Sequence, residues 1–171
     1  MFRVNDVIVY GTQGVCKIVD TEEKTVGGKT KSYFVLKPVS EQGSTIFVPV
    51  DNESVLKKMR RLLTKAEILC LIDTMRSENA PWIEEENERK ELYKNILAKG
   101  DHLELIKMIK AIYAHKTQRE AEGKRLRMSD ERFFKDAEQL LYNEFQYVLE
   151  LKDKSDLMRY IFERIDKGIR K

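Results

Sequence analysis

The sequence predicts an α+β chain, with a small N-terminal β-domain followed by a compact helical bundle. Three observations lead there. Short β-branched runs separated by turn residues fill the first sixty positions. After Lys58 the apolar residues recur at helical spacing behind recognisable caps. Across all 171 residues there are only 8 Gly and 3 Pro, while 36% of the side chains are charged, a balance that favours helix over low-complexity chain. Apolar residues make up 42%, enough for a core, and the length suits one ordinary domain or two small ones.

The strands are read in order. Val7–Tyr10 and Val15–Asp20 are the first two, followed by Ser32–Lys37 and Ser44–Val50. Turn signals stand between them at Gly11–Gly14, Gly27-Gly28 and Glu41–Ser44. Gly27-Gly28 fits a two-residue hairpin, since both positions accept positive φ. With a fifth strand near Ser54-Val55-Leu56, the spacing predicts a small barrel or curled sheet. The domain boundary is placed near 58–62, giving domains 1–60 and 61–171.

Five helices follow. Thr64 with Glu67 is a capping box opening a helix to about Arg76. Ser77–Pro81 is a break, and Pro81 is placed in the first turn of the next helix. Glu84, Glu85 and Glu86 then lie at the positive end of its dipole. Gly100 stops that helix and Asp101 starts another, carrying Leu103, Ile106, Ile109, Ile112 and Tyr113 on one stripe and ending at Gly123. Ser129 opens a fourth, with Asp130 and Glu131 in its first turn and Phe133, Phe134, Ala137, Leu140, Leu141, Phe145 and Val148 on its buried face. Ser155 caps the last, which holds Leu157, Ile161 and Ile165.

Several function classes find no support. The longest apolar run is Ile68–Ile72, far short of the roughly 20 residues of a membrane span. Met1–Asp6 lacks the pattern of a signal peptide. Cys16 and Cys70 both sit among apolar neighbours and read as buried thiols in a reducing compartment, so a cytoplasmic location is expected. Neither His102 nor His115 has the partners of a zinc site. There is no phosphate-cradling glycine loop and no nucleophile elbow, and nothing calls for a cofactor. The expectation is a protein that is not an enzyme.

Charge is more informative. Positive and negative residues nearly cancel, at 32 and 29. Within 107–135, however, nine basic side chains face four acidic ones, and Lys124, Arg125 and Arg127 cluster in a predicted turn between two helices. Basic turns beside helix N-termini suit phosphate contacts, although a solvated basic loop accounts for the charge equally well. Trp82, the single tryptophan, stands just after Pro81. It reads either as a staple packing on the preceding helix or as an exposed aromatic wedge.

Phe2–Tyr10, Gly14-Val15, Tyr33–Leu36 and Val48–Val50 resemble the RNA-polymerase-interacting module of the CarD/CdnL family, which also occurs in transcription-repair coupling factor. Trp82, Arg89-Lys90, Ile96–Asp101 and Ala137–Leu141 with Glu144 resemble the helical half of that family, and the chain has no motor motifs. The resemblance implies a Tudor-like β-barrel that binds the β subunit of bacterial RNA polymerase. It also implies a helical domain that stabilises the open promoter complex at the upstream edge of the bubble, where a tryptophan wedges into the minor groove. Trp82 is the candidate wedge; aligned on Gly100-Asp101 it falls about one helical turn early, and Glu86 occupies the equivalent spot. Arg89, Lys90 and Arg132 match or lie near basic DNA-facing positions. Lys24 matches a polymerase-facing position, and Phe47 stands at a second one, beside Val48 and Pro49. The reading is a monomeric transcription regulator joining polymerase to DNA without sequence specificity. The alternative is a polymerase-binding module without DNA contact, which the near-neutral charge favours.

Overall fold

The computed structural model describes residues 1–40 and 43–169, so Glu41 and Gln42 of the third turn signal lie outside the described residues. The chain divides into two compact units, Met1–Leu63 and Thr64–Lys171. The class is α+β, with an antiparallel sheet in the first unit and five helices among the described residues of the second.

The sheet contains β1 (Val7–Tyr10), β2 (Val15–Val26), β3 (Lys29–Pro38), β4 (Ile46–Pro49) and β5 (Met59–Arg61), in the order β4-β3-β2-β1-β5. β4 and β5 stand at the two ends of that order. Ile8, Cys16, Ile18, Leu36, Val48 and Met59 bury one apolar surface. Burial pushes the Cys16 thiol up to about 11.

β2 and β3 run longer than the sequence reading allowed, because the ladder continues to Val26 opposite Lys29. Gly27 and Gly28, at φ 60° and 76°, close it as the expected tight hairpin. β1 supports only the base of this ladder, through Val7–Val9, and β4 reaches only as far as Tyr33. The distal hairpin is therefore a two-stranded arm.

One expected strand is misplaced. Ser54-Val55-Leu56 belongs to α1 (Glu53–Leu56), and the fifth strand is Met59–Arg61. The cause is local: the Asn52 side chain accepts from the Val55 amide and from the Ser54 hydroxyl, which caps a helical turn at these residues.

The second unit contains α2 (Lys65–Thr74), α3 (Glu86–Lys99), α4 (His102–Ala121), α5 (Met128–Val148) and α6 (Lys154–Ile169). Thr64 and Glu67 form the expected capping box. Gly100 ends α3 in the left-handed region, at φ 66°, and Asp101 caps α4 by accepting from the Glu104 amide. α4 packs along α5, and α2 against α6. Ala137, Leu141, Phe145 and Leu157 are fully buried; the Ile165 side chain lies outside the described residues.

Several expected positions are corrected. Pro81 does not enter a helix; α3 starts at Glu86, where the Glu85 carboxylate accepts from the Glu88 amide. Ser129 does not cap α5: the cap is Arg127, without a side-chain bond. Asp153, one residue before α6, accepts from the Asp156 amide and takes the role expected of Ser155. Leu103 and Tyr113 are exposed, because the buried face of α4 turns toward Leu105, Met108 and Ile112. Cys70 is exposed as well. Ile68 and Ile72 define the buried side of α2, and Cys70, two residues from each, faces away.

The capping assignment is testable by chemical denaturation of the full chain. Asp153→Ala is expected to cost about 1 kcal/mol, whereas Ser155→Ala changes stability by less than about 0.5 kcal/mol. The opposite ranking would restore Ser155 as the cap.

Candidate functional site

In the first unit, the open edge of the sheet gathers the expected contact residues. Phe47 lies on β4 and is exposed. Lys24, near the root of the hairpin arm, places its ammonium 3.1 Å from the centre of the Phe47 ring. The two positions thus form one cation–π pair. Val48 is a correction: with no exposed surface it belongs to the core and meets no partner. The strand register explains the split. Val50 donates to the Ser32 carbonyl at 3.0 Å, and Val48 stands opposite Phe34. In an antiparallel ladder the intervening residues, Phe47 and Pro49, then turn their backbone groups to the open edge. Pro49 has no N–H to offer, so that edge presents the Phe47 N–H as donor and the Phe47 and Pro49 carbonyls as acceptors.

In the second unit, the segment between α2 and α3 is irregular yet firmly held. Arg89 is 2% exposed. Its Nε and a terminal nitrogen donate to the two carboxylate oxygens of Asp130 at 2.8 and 3.0 Å. The other terminal nitrogen donates to the carbonyl of Ile83 at 2.8 Å and more distantly to that of Glu84. Arg89 therefore cannot be the phosphate contact expected of it; its donors are spent inside the fold. The same guanidinium lies 4.4 Å from the Trp82 ring centre.

Trp82 is half-buried. Its ring stacks on the His115 imidazole of α4, with centroids 3.7 Å apart and planes 5° from parallel. The residue is thus neither a staple at the start of a helix nor a ring projecting outward from one; it is held against α4. The His115 pKa is held below its ordinary value, chiefly by burial and then by the Arg119 cation, with Asp130 and Glu84 pulling the other way.

The remaining expected residues converge on one end of this unit, where α3 begins, α4 ends and α5 begins. Glu86 accepts from Lys90 at 2.7 Å through one carboxylate oxygen and from Arg127 at 2.5 Å through the other. These contacts lower the Glu86 pKa, the Lys90 hydrogen bond most of all. Lys124 pairs with Glu122 at 3.4 Å. The Arg125 carbonyl accepts from Arg119 at 2.7 Å, which fixes the turn. Arg125 and Arg132 are exposed. The structure therefore brings together Trp82, Lys90, Lys124, Arg125 and Arg127, adds Arg119 and His115, and withdraws Arg89.

Residues 2–63 match the family model of the CarD-like/TRCF RID domain. The first unit therefore carries a CarD-like, RNA-polymerase-interacting domain. No curated protein matches the chain. The match covers the CarD-like sheet, the hairpin arm and β5, and ends where the first unit ends. The Lys24–Phe47 pair and the open β4 edge therefore belong to a polymerase-interacting module. No described helix is long and apolar enough to cross a membrane.

Two contacts of the helical unit were out of reach of sequence reading. Asp130 lies 41 positions from Arg89 and looked like an ordinary first-turn acid. The Trp82–His115 stack likewise joins positions that no periodicity links. The Glu86–Lys90 pair, by contrast, is an i,i+4 spacing visible in the sequence.

The buried pair leads to a stability prediction. Arg89→Ala leaves the buried Asp130 carboxyl without its bidentate partner, and is expected to cost about 3–5 kcal/mol in denaturant melts. A cost under about 1 kcal/mol would contradict the structural role given to the pair.

The His115 stack predicts a pH dependence. The folded state disfavours the imidazolium, so the folded pKa lies below the unfolded value near 6.5. This contribution to stability is complete above that pH and is lost as pH falls toward the folded pKa. His115→Phe keeps a flat ring for Trp82 and is expected to flatten that limb of the pH–stability profile. An unchanged profile would assign the acid limb to other groups.

Proposed function

We propose that the protein is a monomeric, non-enzymatic transcription regulator of the bacterial cytoplasm. Its CarD-like domain binds the β subunit of RNA polymerase, and its helical unit holds the upstream edge of the promoter bubble. The sheet is taken to be the Tudor-like module of the family, with binding by strand addition at the β4 edge and Phe47 as the apolar anchor. The DNA half rests on one observation, the convergence of Lys90, Lys124, Arg125 and Arg127 with Trp82 at one end of the helical unit. Exposed Arg132 is assigned to the same contact.

Such a surface binds phosphates without reading sequence. Trp82 is assigned the wedge role, with the accessible part of its ring filling the gap left by an unstacked base step. A contact made only with melted DNA shifts the equilibrium toward the open complex by its differential affinity. The alternative, polymerase binding without DNA contact, is favoured by the ion pairs that already occupy Lys90, Lys124 and Arg127.

Open-complex lifetime with cognate polymerase tests the reading, measured beside melting temperature. Phe47→Ala should weaken polymerase binding and leave the fold intact, because the ring is exposed. Joint replacement of Arg125, Arg127 and Arg132 by alanine should flatten the salt dependence by roughly one unit per lost contact. Trp82→Ala should keep polymerase binding and shorten the lifetime; a stacking contact of roughly 1–3 kcal/mol corresponds to about a 5- to 150-fold loss of affinity for the melted state. It will also lower the melting temperature, since the His115 stack is lost. Folded Trp82→Ala protein that sustains wild-type lifetimes would remove the wedge. An arginine variant with unchanged salt dependence would leave the interaction-module alternative.

A further inference from the structure

Glu84, Glu85 and Glu86 stand in a row before and into α3, yet they have different duties. The Glu85 carboxylate is turned back onto the helix, accepting from the Glu88 amide. The Glu84 carbonyl is drawn toward Arg89. Glu86 alone of the three reaches across to another helix, spreading its two oxygens over Lys90 of its own helix and Arg127 at the start of α5. Those two cations are among the side chains assigned above to DNA phosphates. Asp130, three residues beyond Arg127, is 1% exposed and committed to Arg89, so it does not compete for them.

A carboxylate with both oxygens on two cations makes the contacts that a non-bridging pair of phosphate oxygens would make. The positions of these groups are fixed by the buried Arg89–Asp130 pair, which holds the starts of α3 and α5 together. The contact is nevertheless accessible: the Glu86, Lys90 and Arg127 side chains are 36%, 35% and 55% exposed. An incoming phosphate can therefore reach the site and exchange with the carboxylate.

We propose that Glu86 is an internal competitor for phosphate: in the free protein it occupies Lys90 and Arg127, and DNA engages these two cations only by displacing it. The proposal rests on the DNA-contact reading above. The displacement sets the strength of the contact. It weakens binding to any DNA, duplex or melted, and so reserves firm engagement for DNA delivered at high local concentration. The Glu86 pKa is already depressed, so the carboxylate stays charged throughout the physiological range and the competition is not a pH switch.

The test is anisotropy of a labelled forked DNA titrated with the full chain at several salt concentrations. Glu86→Gln removes the competing charge and keeps the side-chain shape. Glu91→Gln changes net charge equally at a glutamate that pairs with Lys94 instead. Glu86→Gln is expected to bind about two- to tenfold more tightly than wild type, and Glu91→Gln distinctly less so. The gain should vanish when Lys90→Ala and Arg127→Ala are also present. Glu86→Ala, with its melting temperature, serves as a second variant should the glutamine rearrange the helix start. Equal gains from the Glu86 and Glu91 variants would reduce the effect to bulk charge and overturn the proposal. If Lys90→Ala/Arg127→Ala binds with wild-type affinity and salt slope, the assignment of these cations to DNA fails first, and the proposal falls with it.

Discussion

Arg89 brings a permanent charge and five donors into a site with almost no exposed surface. A guanidinium is tolerable there only if its charge is matched and its donors are used. Asp130 supplies the charge and two acceptors, and the carbonyls of Ile83 and Glu84 supply two more. Much of the helical unit follows from that requirement. Asp130 sits in the first turn of α5 and is held by Arg89, while the N-cap residue, Arg127, has no side-chain acceptor, so the helix start has no side-chain cap. The irregular chain before α3 is fixed because its carbonyls satisfy a side chain further along. Trp82, one residue before Ile83, is thereby brought against His115. Glu86 and Arg127, on the two elements that the pair joins, are left facing one another.

The same constraint separates what could be read from the sequence from what could not. Local signals were legible because local physics decides them. Alternating β-branched runs gave the strands, Gly27-Gly28 the hairpin, Thr64 with Glu67 the capping box, and Gly100 with Asp101 the α3–α4 junction. Errors arose where two local rules competed. Asn52 turned Ser54–Leu56 into a helical turn, and Glu85 displaced the start of α3 past Pro81. Site residues failed for a different reason. The family resemblance assigns Arg89 to DNA by its place in the motif, whereas a partner 41 positions away makes its burial tolerable. The resemblance marks Phe47, Val48 and Pro49 as one stretch, but alternation along the strand buries Val48 while Phe47 stays exposed. Lys24 and Phe47, assigned separately, turned out to be one contact.

The two units present chemistry of different kinds. The CarD-like sheet offers a directional edge, with backbone donors and acceptors in register and an aromatic anchor beside them, and such an edge recognises a particular strand. The helical unit offers solvent-accessible cations around a held aromatic, which suits a repeating charge. On the proposed function, specific recognition by the first and unspecific attachment by the second is a division of labour that each surface would fit physically.

That division also bears on how weak the second contact should be. On the proposed function, polymerase binding through the first unit confines the second near the DNA, so its attachment becomes intramolecular and the local concentration reaches roughly millimolar. A helical unit with strong intrinsic affinity would then be drawn to bulk duplex, where unspecific sites are in vast excess. On the same reading, a net charge of only +3 on the whole chain and cations shared with Glu86 and Glu122 would hold the free affinity down. An aromatic beside those cations adds affinity only where base stacking is already broken. Weak attachment to every phosphate backbone and a gain confined to melted DNA together favour the bubble edge, without any need to read its sequence.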